Sequence, residues 1–149
     1  MASNNVIRKS LEEFSNPLVY KFLQHDRFDM ELWCEYFKVV VCFVTQSTLQ
    51  IEKYPELKKR QVLQNYGDMR VTMGFQVLSM WSQLGDKKCN FIPFMIGPIL
   101  EITLVPETSL RKSTIEVFYD MIQCEQHESE RDGKVDLVEK QNHKISQNI

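Results

Sequence analysis

A chain of 149 residues has about the length of one ordinary domain, and at that size a fold can bury roughly 68–70% of the surface its extended form exposes. Hydrophobic residues at 43% and charged residues at 26% exclude a wholly disordered chain, and five Gly with five Pro exclude collagen-like or low-complexity architecture. Eighteen basic against twenty acidic side chains leave a net charge of −2, which argues against a dedicated nucleic-acid binder.

Residues 1–15 are mixed and polar and read as a flexible N-terminus or partial helix. Asn16-Pro17 offers an N-cap with Pro at the first helical position, opening a short helix to about Gln24. Asp29 is the next good cap. From Met30 to Thr45 apolar residues nearly surround the helix axis, leaving a polar stripe at Glu31, Glu35 and Lys38, where Glu35 can pair with Lys38. The run Val39-Val40-Val41 invites a strand, but the stripe spacing favours a central helix packed on several sides.

Tyr54-Pro55 starts a helix to about Tyr66 with Lys58, Lys59 and Arg60 outward. Gly67-Asp68 breaks the chain, and Asp68 caps a helix from Met69 to Leu84 whose buried stripe is Met73, Val77, Trp81 and Leu84. Gly85 fits the left-handed position that ends helices. Asn90 is expected to cap a helix from about Phe91 to Leu104, kinked at Gly97-Pro98. Pro106 opens a last helix to about Gln123, with Leu110, Thr114, Val117 and Met121 on one stripe and Ile115, Phe118 and Ile122 flanking it in a wide buried face.

Composition changes beyond Cys124. Of the 25 residues from Glu125 to Ile149, ten are charged and five hydrophobic, too few to offset the entropy of ordering. A disordered polar tail over 125–149 is expected, behind a helical domain over 16–124. The architecture that follows is all-α, with antiparallel helix pairs in an armadillo/HEAT-like helical-repeat stack. Leu110-Arg111, Ser113-Thr114, Ile115 and Phe118 resemble the second helix of such a repeat, although no fixed period runs through the chain.

The opening MASNNVIRKS lacks the apolar core of a secretory signal. The longest apolar stretch, Phe91 to Val105, is interrupted by Pro93, Gly97, Pro98 and Glu101 and would span only ~22 Å as a helix, short of the ~30 Å hydrocarbon core. No transmembrane segment and a cytoplasmic location are expected. The cysteines Cys34, Cys42, Cys89 and Cys124 form no CxxC pair and show no His at ligand spacing. Structural, reduced thiols are favoured over a metal site or disulfide, with Cys34 and Cys42 near one helix face.

Reactive constellations are not evident. His127-Glu128-Ser129-Glu130 begins like HExxH, but Arg131 stands where the second His belongs, so His25, His127 and His143 read as surface residues. No phosphate-cradling glycine loop or nucleophile elbow occurs. Glu101, which interrupts an apolar run, is expected to face outward, the other reading being a buried pairing with Arg70 or Arg111. Lys58-Lys59-Arg60 reads as a solvated face rather than an anionic-lipid or acidic-partner contact. No catalytic, cofactor-binding or metal residue is therefore nominated, and no cofactor is expected.

Longer words carry more. Tyr66-Gly67-Asp68-Met69-Arg70, Met80-Trp81, Leu84-Gly85 and Phe91-Ile92-Pro93 stand in order. They are followed by Ile96-Gly97-Pro98-Ile99-Leu100-Glu101, Thr103-Leu104, Pro106, Leu110-Arg111-Lys112 and Asp120-Met121. With Leu32-Trp33, Tyr36-Phe37 and Ser47-Thr48-Leu49-Gln50 upstream, the stretch from about 29 to 125 resembles the dedicator-of-cytokinesis (DOCK) family.

That resemblance implies a non-catalytic helical scaffold lying just before the Dock-homology domain of a large cytosolic exchange factor for Rac/Cdc42-type GTPases. No part of this sequence resembles the catalytic domain, the C2-like domain or the SH3 module of such proteins. Met1 just ahead of the scaffold is read as a truncated product, an alternative transcript or a partial gene model. The implied partners are other helical repeats, a protein partner or a second copy of the chain, with the GTPase reached only through the missing catalytic domain. The rival expectation is a small self-standing helical protein with exchange activity of its own.

Overall fold

The computed structural model describes residues 1–24 and 26–147; His25 lies outside the described residues. Six α-helices and three short 3-10 turns make up the ordered elements, with no strand among the described residues. They are α1 (Ala2–Tyr20), α2 (Met30–Thr45), α3 (Glu56–Tyr66), α4 (Met69–Gln83), α5 (Lys88–Thr103) and α6 (Thr108–Gln147). The all-α, paired-helix architecture is the one the sequence called for.

Local chemistry explains most boundaries. Asp29 Oδ1 accepts from the Leu32 N–H at 3.0 Å and starts α2, and Asp68 Oδ1 accepts from the Arg70 N–H at 3.1 Å and starts α4. Gly67 at φ 68° turns the chain between α3 and α4, and Gly85 at φ 55° ends α4. Glu107 Oε2 accepts from the Leu110 N–H at 2.6 Å at the head of α6.

The stack is built around α2, α4, α5 and α6. The most extensive pairings are α5 with α6, α4 with α6 and α2 with α5, while α1 rests on α4. Trp33, Phe37, Met73, Met80, Phe91 and Ile99 are fully buried at the centre. The Trp33, Phe37 and Phe28 rings pack edge-on or tilted around Phe91, with centroids 5.9–6.4 Å from it. In the third helix only Val62 is buried, so α3 lies on the rim of the stack.

Four boundaries or faces differ from expectation. Residues 1–15 and 16–20 form one helix, α1, with Pro17 inside it, rather than a flexible arm followed by a new helix. Leu11, Ser15 and Leu18 are buried and hold α1 across the proline. Glu13 and Pro17 lie on the exposed side, where water can satisfy the carbonyl that Pro17 cannot. Next, α5 begins at Lys88, because the 3-10 turn Gly85–Lys87 feeds straight into it, so Asn90 sits inside the helix instead of capping it.

Third, α6 does not stop near Gln123 but continues to Gln147. Its buried stripe ends at Met121, and every side chain from Glu125 to Gly133 is exposed except the half-buried Glu128. Helical hydrogen bonding carries the backbone past Met121, the last buried side chain among the described residues of α6. Fourth, the buried face of α6 is narrower than expected: Leu110, Thr114, Val117 and Met121 are buried and Phe118 is half-buried against the core, whereas Ile115 and Ile122 are exposed. No helix among the described residues is long and apolar enough to cross a membrane.

Candidate functional site

Two polar junctions hold the stack. The first is Arg70, whose side chain is buried at the start of α4. Its Nη2 donates to Glu52 Oε1 at 2.6 Å and to Asp68 Oδ2 at 2.8 Å, and Nη1 donates to Glu52 Oε2 at 3.0 Å and to Gln50 Oε1 at 2.9 Å. Nε adds a bond to Asp68 Oδ1 at 3.0 Å. Gln50 in turn donates to the carbonyls of Val44 and Gln46 at 3.1 Å, tying the end of α2 into the same knot.

Burial works against the guanidinium charge, yet the bonds and charges of Asp68 and Glu52 outweigh it and hold the Arg70 pKa above its ordinary value. The hydrogen bond from Arg70 holds the Glu52 carboxyl below the usual range. Every donor nitrogen of Arg70 is committed within the protein, so the side chain positions the fold and has nothing left for a ligand.

The second junction is Asp120 on α6. Its Oδ2 accepts from Trp81 Nε1 on α4 and from Lys88 Nζ on α5, both at 2.8 Å. Burial favours the neutral acid here, but the Lys88 and Trp81 bonds prevail and the carboxyl titrates low. A third link, the Tyr36 hydroxyl donating to the Leu11 carbonyl at 2.7 Å, joins α2 to α1. Burial raises the Tyr36 pKa further still from physiological pH.

The residues singled out in the sequence fall as follows. Glu101 is exposed and faces outward; Arg70 is occupied as above, and Arg111 Nε donates to the carbonyls of Thr103 and Val105 at 3.1 and 2.9 Å. Glu31, Glu35 and Lys38 form the exposed stripe, with Lys38 Nζ 2.7 Å from Glu35. Lys58 lies over the Tyr54 ring at 4.1 Å and Arg60 pairs with Glu56 at 3.4 Å, a solvated arrangement. His127 and His143 are exposed.

All four cysteines are free thiols. Cys34 is buried, and burial raises its pKa. Cys42 is exposed, so the two do not share a buried face: eight residues advance a helix by 80° beyond whole turns. One spacing escaped the sequence reading, since Cys124 and His127 stand three apart on α6 and line one cleft. Among the described residues no group of three or more His, Cys, Asp or Glu is arranged to hold a metal ion.

What the surface offers is apolar area. Between α1 and α2 lies an open groove of about 340 Å³ lined by Leu11, Phe14, Leu18, Phe22, Tyr36 and Val39 among others. Large apolar side chains also stand out on the outward faces of α5 and α6 and at the turn between them: Phe94 and Leu100, Leu104 (77% exposed) at the turn, then Ile115, Tyr119 and Ile122. The last three are spaced i, i+4, i+7 and form a single stripe beside the buried one.

A strand-free stack of packed helix pairs with such faces is a piece of a helical-repeat protein. Comparison with known proteins agrees: the profile of the dedicator of cytokinesis (DOCK) TPR region matches residues 1–148. Dedicator of cytokinesis protein 4 of Homo sapiens is 45% identical over 129 residues, covering 87% of this chain and 6% of that protein. Dedicator of cytokinesis protein 3 of Mus musculus is 37% identical over 149 residues, covering 99% and 7% respectively. The chain belongs to the dedicator-of-cytokinesis family, as the ordered sequence words implied, and its match is to that family's TPR region. It spans only about 6–7% of the length of these curated relatives.

Proposed function

We infer that this chain is a non-catalytic scaffold segment of a cytoplasmic DOCK-type exchange factor for Rac/Cdc42-type GTPases. Its task is to present helix faces to adjoining helical repeats. The observation that supports this reading most is the apolar stripe Ile115, Tyr119 and Ile122 on α6, together with Phe94 and Leu100 on α5 and Leu104 just beyond it. A protein that ends its packing there leaves contiguous apolar surface in water, whereas a repeat stack covers such faces with the next helix pair. Whether the pairs follow armadillo/HEAT or TPR geometry in the parent stack does not alter the argument, because each buries its faces on neighbours.

Two measurements test it. In sedimentation velocity the purified chain should self-associate and bind an apolar dye, and Ile115→Glu with Ile122→Glu should return it to a monomer. A wild-type monomer with no dye binding overturns the reading. When the chain is added to Rac or Cdc42 loaded with labelled nucleotide, release should stay at its intrinsic rate. Accelerated release would establish a self-standing exchange activity instead.

A further inference from the structure

The polar cleft between the head of α5 and the middle of α6 holds a pair of thiols that the scaffold role does not use. We propose that Cys89 and Cys124 form a reversible dithiol–disulfide couple, closing to a bridge between α5 and α6 when the protein meets a peroxide.

The helix register brings them together. Short of the four-residue connection Leu104–Glu107, α5 and α6 run antiparallel as a tightly packed hairpin. At its far end Lys88 Nζ lies 2.8 Å from Asp120 Oδ2, which fixes the pairing of the two helices. Cys124 stands four residues beyond Asp120 and three beyond the buried Met121, one turn further along the face that meets α5. Cys89 follows Lys88. Both thiols are half-buried, so each has a packed side and a side open to small reagents, and both line one cleft of about 640 Å³ with Asp86, His127, Glu128, Glu130 and Arg131.

The thiols also sense one another. Burial, then the neighbouring charges of an ionised Cys124 and of the Glu128 carboxylate, push the Cys89 thiol up to about 11. A thiol held protonated in this way is a slow nucleophile, so closing the pair requires an added oxidant such as a peroxide. Cys34 is buried and Cys42 stands alone in solvent, so neither has this neighbour.

The chemistry balances with hydrogen peroxide as the two-electron oxidant. One thiolate attacks the peroxide, giving a sulfenic acid and water. The second sulfur then displaces the sulfenic hydroxyl, which leaves with a proton as the second water. The two sulfurs lose two electrons and two protons, and the peroxide gains them. A thiol reductant reverses the bridge by exchange.

The test uses the full chain carrying Cys42→Ser, which removes the solvent-exposed competitor. After treatment with hydrogen peroxide under native conditions, intact mass should fall by about 2 Da, and subsequent alkylation should add two labels fewer than to the fully reduced chain. Peptide mapping should place the bridge between Cys89 and Cys124. Adding Cys89→Ser or Cys124→Ser should abolish it while the helical circular dichroism is retained. The bridged form should melt roughly 5 °C or more above the reduced form, and the reductant should reverse this. Peroxide treatment in urea should lose the preference for this pair. Independent over-oxidation of the two thiols, a bridge to Cys34, or bridges only between chains would overturn the proposal.

Discussion

Asp120 and Trp81 are joined by a 2.8 Å hydrogen bond across thirty-nine residues of chain, the indole N–H of α4 donating to the carboxylate of α6. Trp81 is 2% exposed, so its single donor has no water to turn to. The same carboxylate oxygen takes Lys88, and three helices therefore meet at one atom. Asp120→Ala strands the indole N–H and should cost about 2 kcal/mol, the range for a lost hydrogen bond to a charged group. Urea unfolding followed by tryptophan fluorescence measures it, and Asp120→Asn, which keeps an acceptor, should recover part of the loss.

Arg70 is held by five hydrogen bonds, with its side chain buried and both carboxylate partners fixed. Arg70→Met keeps much of the volume but leaves Asp68 and Glu52 without their cation. Because both carboxylates retain some solvent, the loss should be about 3 kcal/mol, the lower end for breaking a buried pair. Equilibrium denaturation should show a lower midpoint with an unchanged slope. A variant as stable as the parent would show that the knot is incidental.

The same pairs set an acid limit. Glu52 and Asp120 titrate below their ordinary values of 4.5 and 3.8 in the folded protein. Groups with depressed folded pKa values stabilise the fold above their unfolded values and lose that contribution as pH falls through the folded ones. Stability should hold near neutrality and decline from about pH 4.5 downward as these carboxylates protonate. The Arg70→Met variant should show a weaker decline, since Glu52 no longer has its partner. Thermal midpoints across that range decide it.

Gly74 sits where α4 packs tightly on α6, and a Cβ there would overlap the buried Leu110 side chain. Alanine is the better helix former by about 1 kcal/mol, while forcing an extra methyl into a packed core costs typically about 1–3 kcal/mol. The second effect should win. Gly74→Ala should be destabilising by about 1 kcal/mol, and pairing it with Leu110→Val should show a favourable coupling in a double-mutant cycle.

From Glu125 to Gly133 the side chains of α6 are exposed apart from the half-buried Glu128, and this end of the helix should behave as a polar tail in solution. Amide exchange should be slow from Leu110 to Met121 and fast from about Asp132 onward. Terminating the chain after Arg131 should leave the unfolding free energy within about 0.5 kcal/mol of the parent. Protected amides beyond Asp132 in the isolated chain would sink this expectation.

Much of the fold is legible where the deciding interaction is local. Asp29, Asp68, Gly67 and Gly85 act within one turn of their own positions, and the ends of α2, α3 and α4 fall where those residues put them. Pro17 misleads, because the same residue opens a helix or interrupts one, and only burial of Leu11 and Leu18 against other elements settles the matter. Asn90 misleads likewise, its capping chemistry being redundant once the turn at Gly85 has delivered the chain into α5.

The candidate surfaces divide along the same line. The stripe of Leu110, Thr114, Val117 and Met121 is visible from spacing alone, yet spacing cannot say that Ile115 and Ile122 beside it lie in water, since that depends on which neighbour α6 meets. Nothing in the sequence pairs Arg70 with Glu52, Asp120 with Trp81, or Cys89 with Cys124.

Periodicity, caps and the ordered family words determined that this chain makes helices, where most of them start and stop, and which family it joins, for these rest on contacts within a few residues. Tertiary structure alone decided which side chains share a junction, which apolar faces are spent internally and which stay exposed. Those outcomes depend on how helices far apart in sequence register against each other, a geometry that no short window of residues encodes.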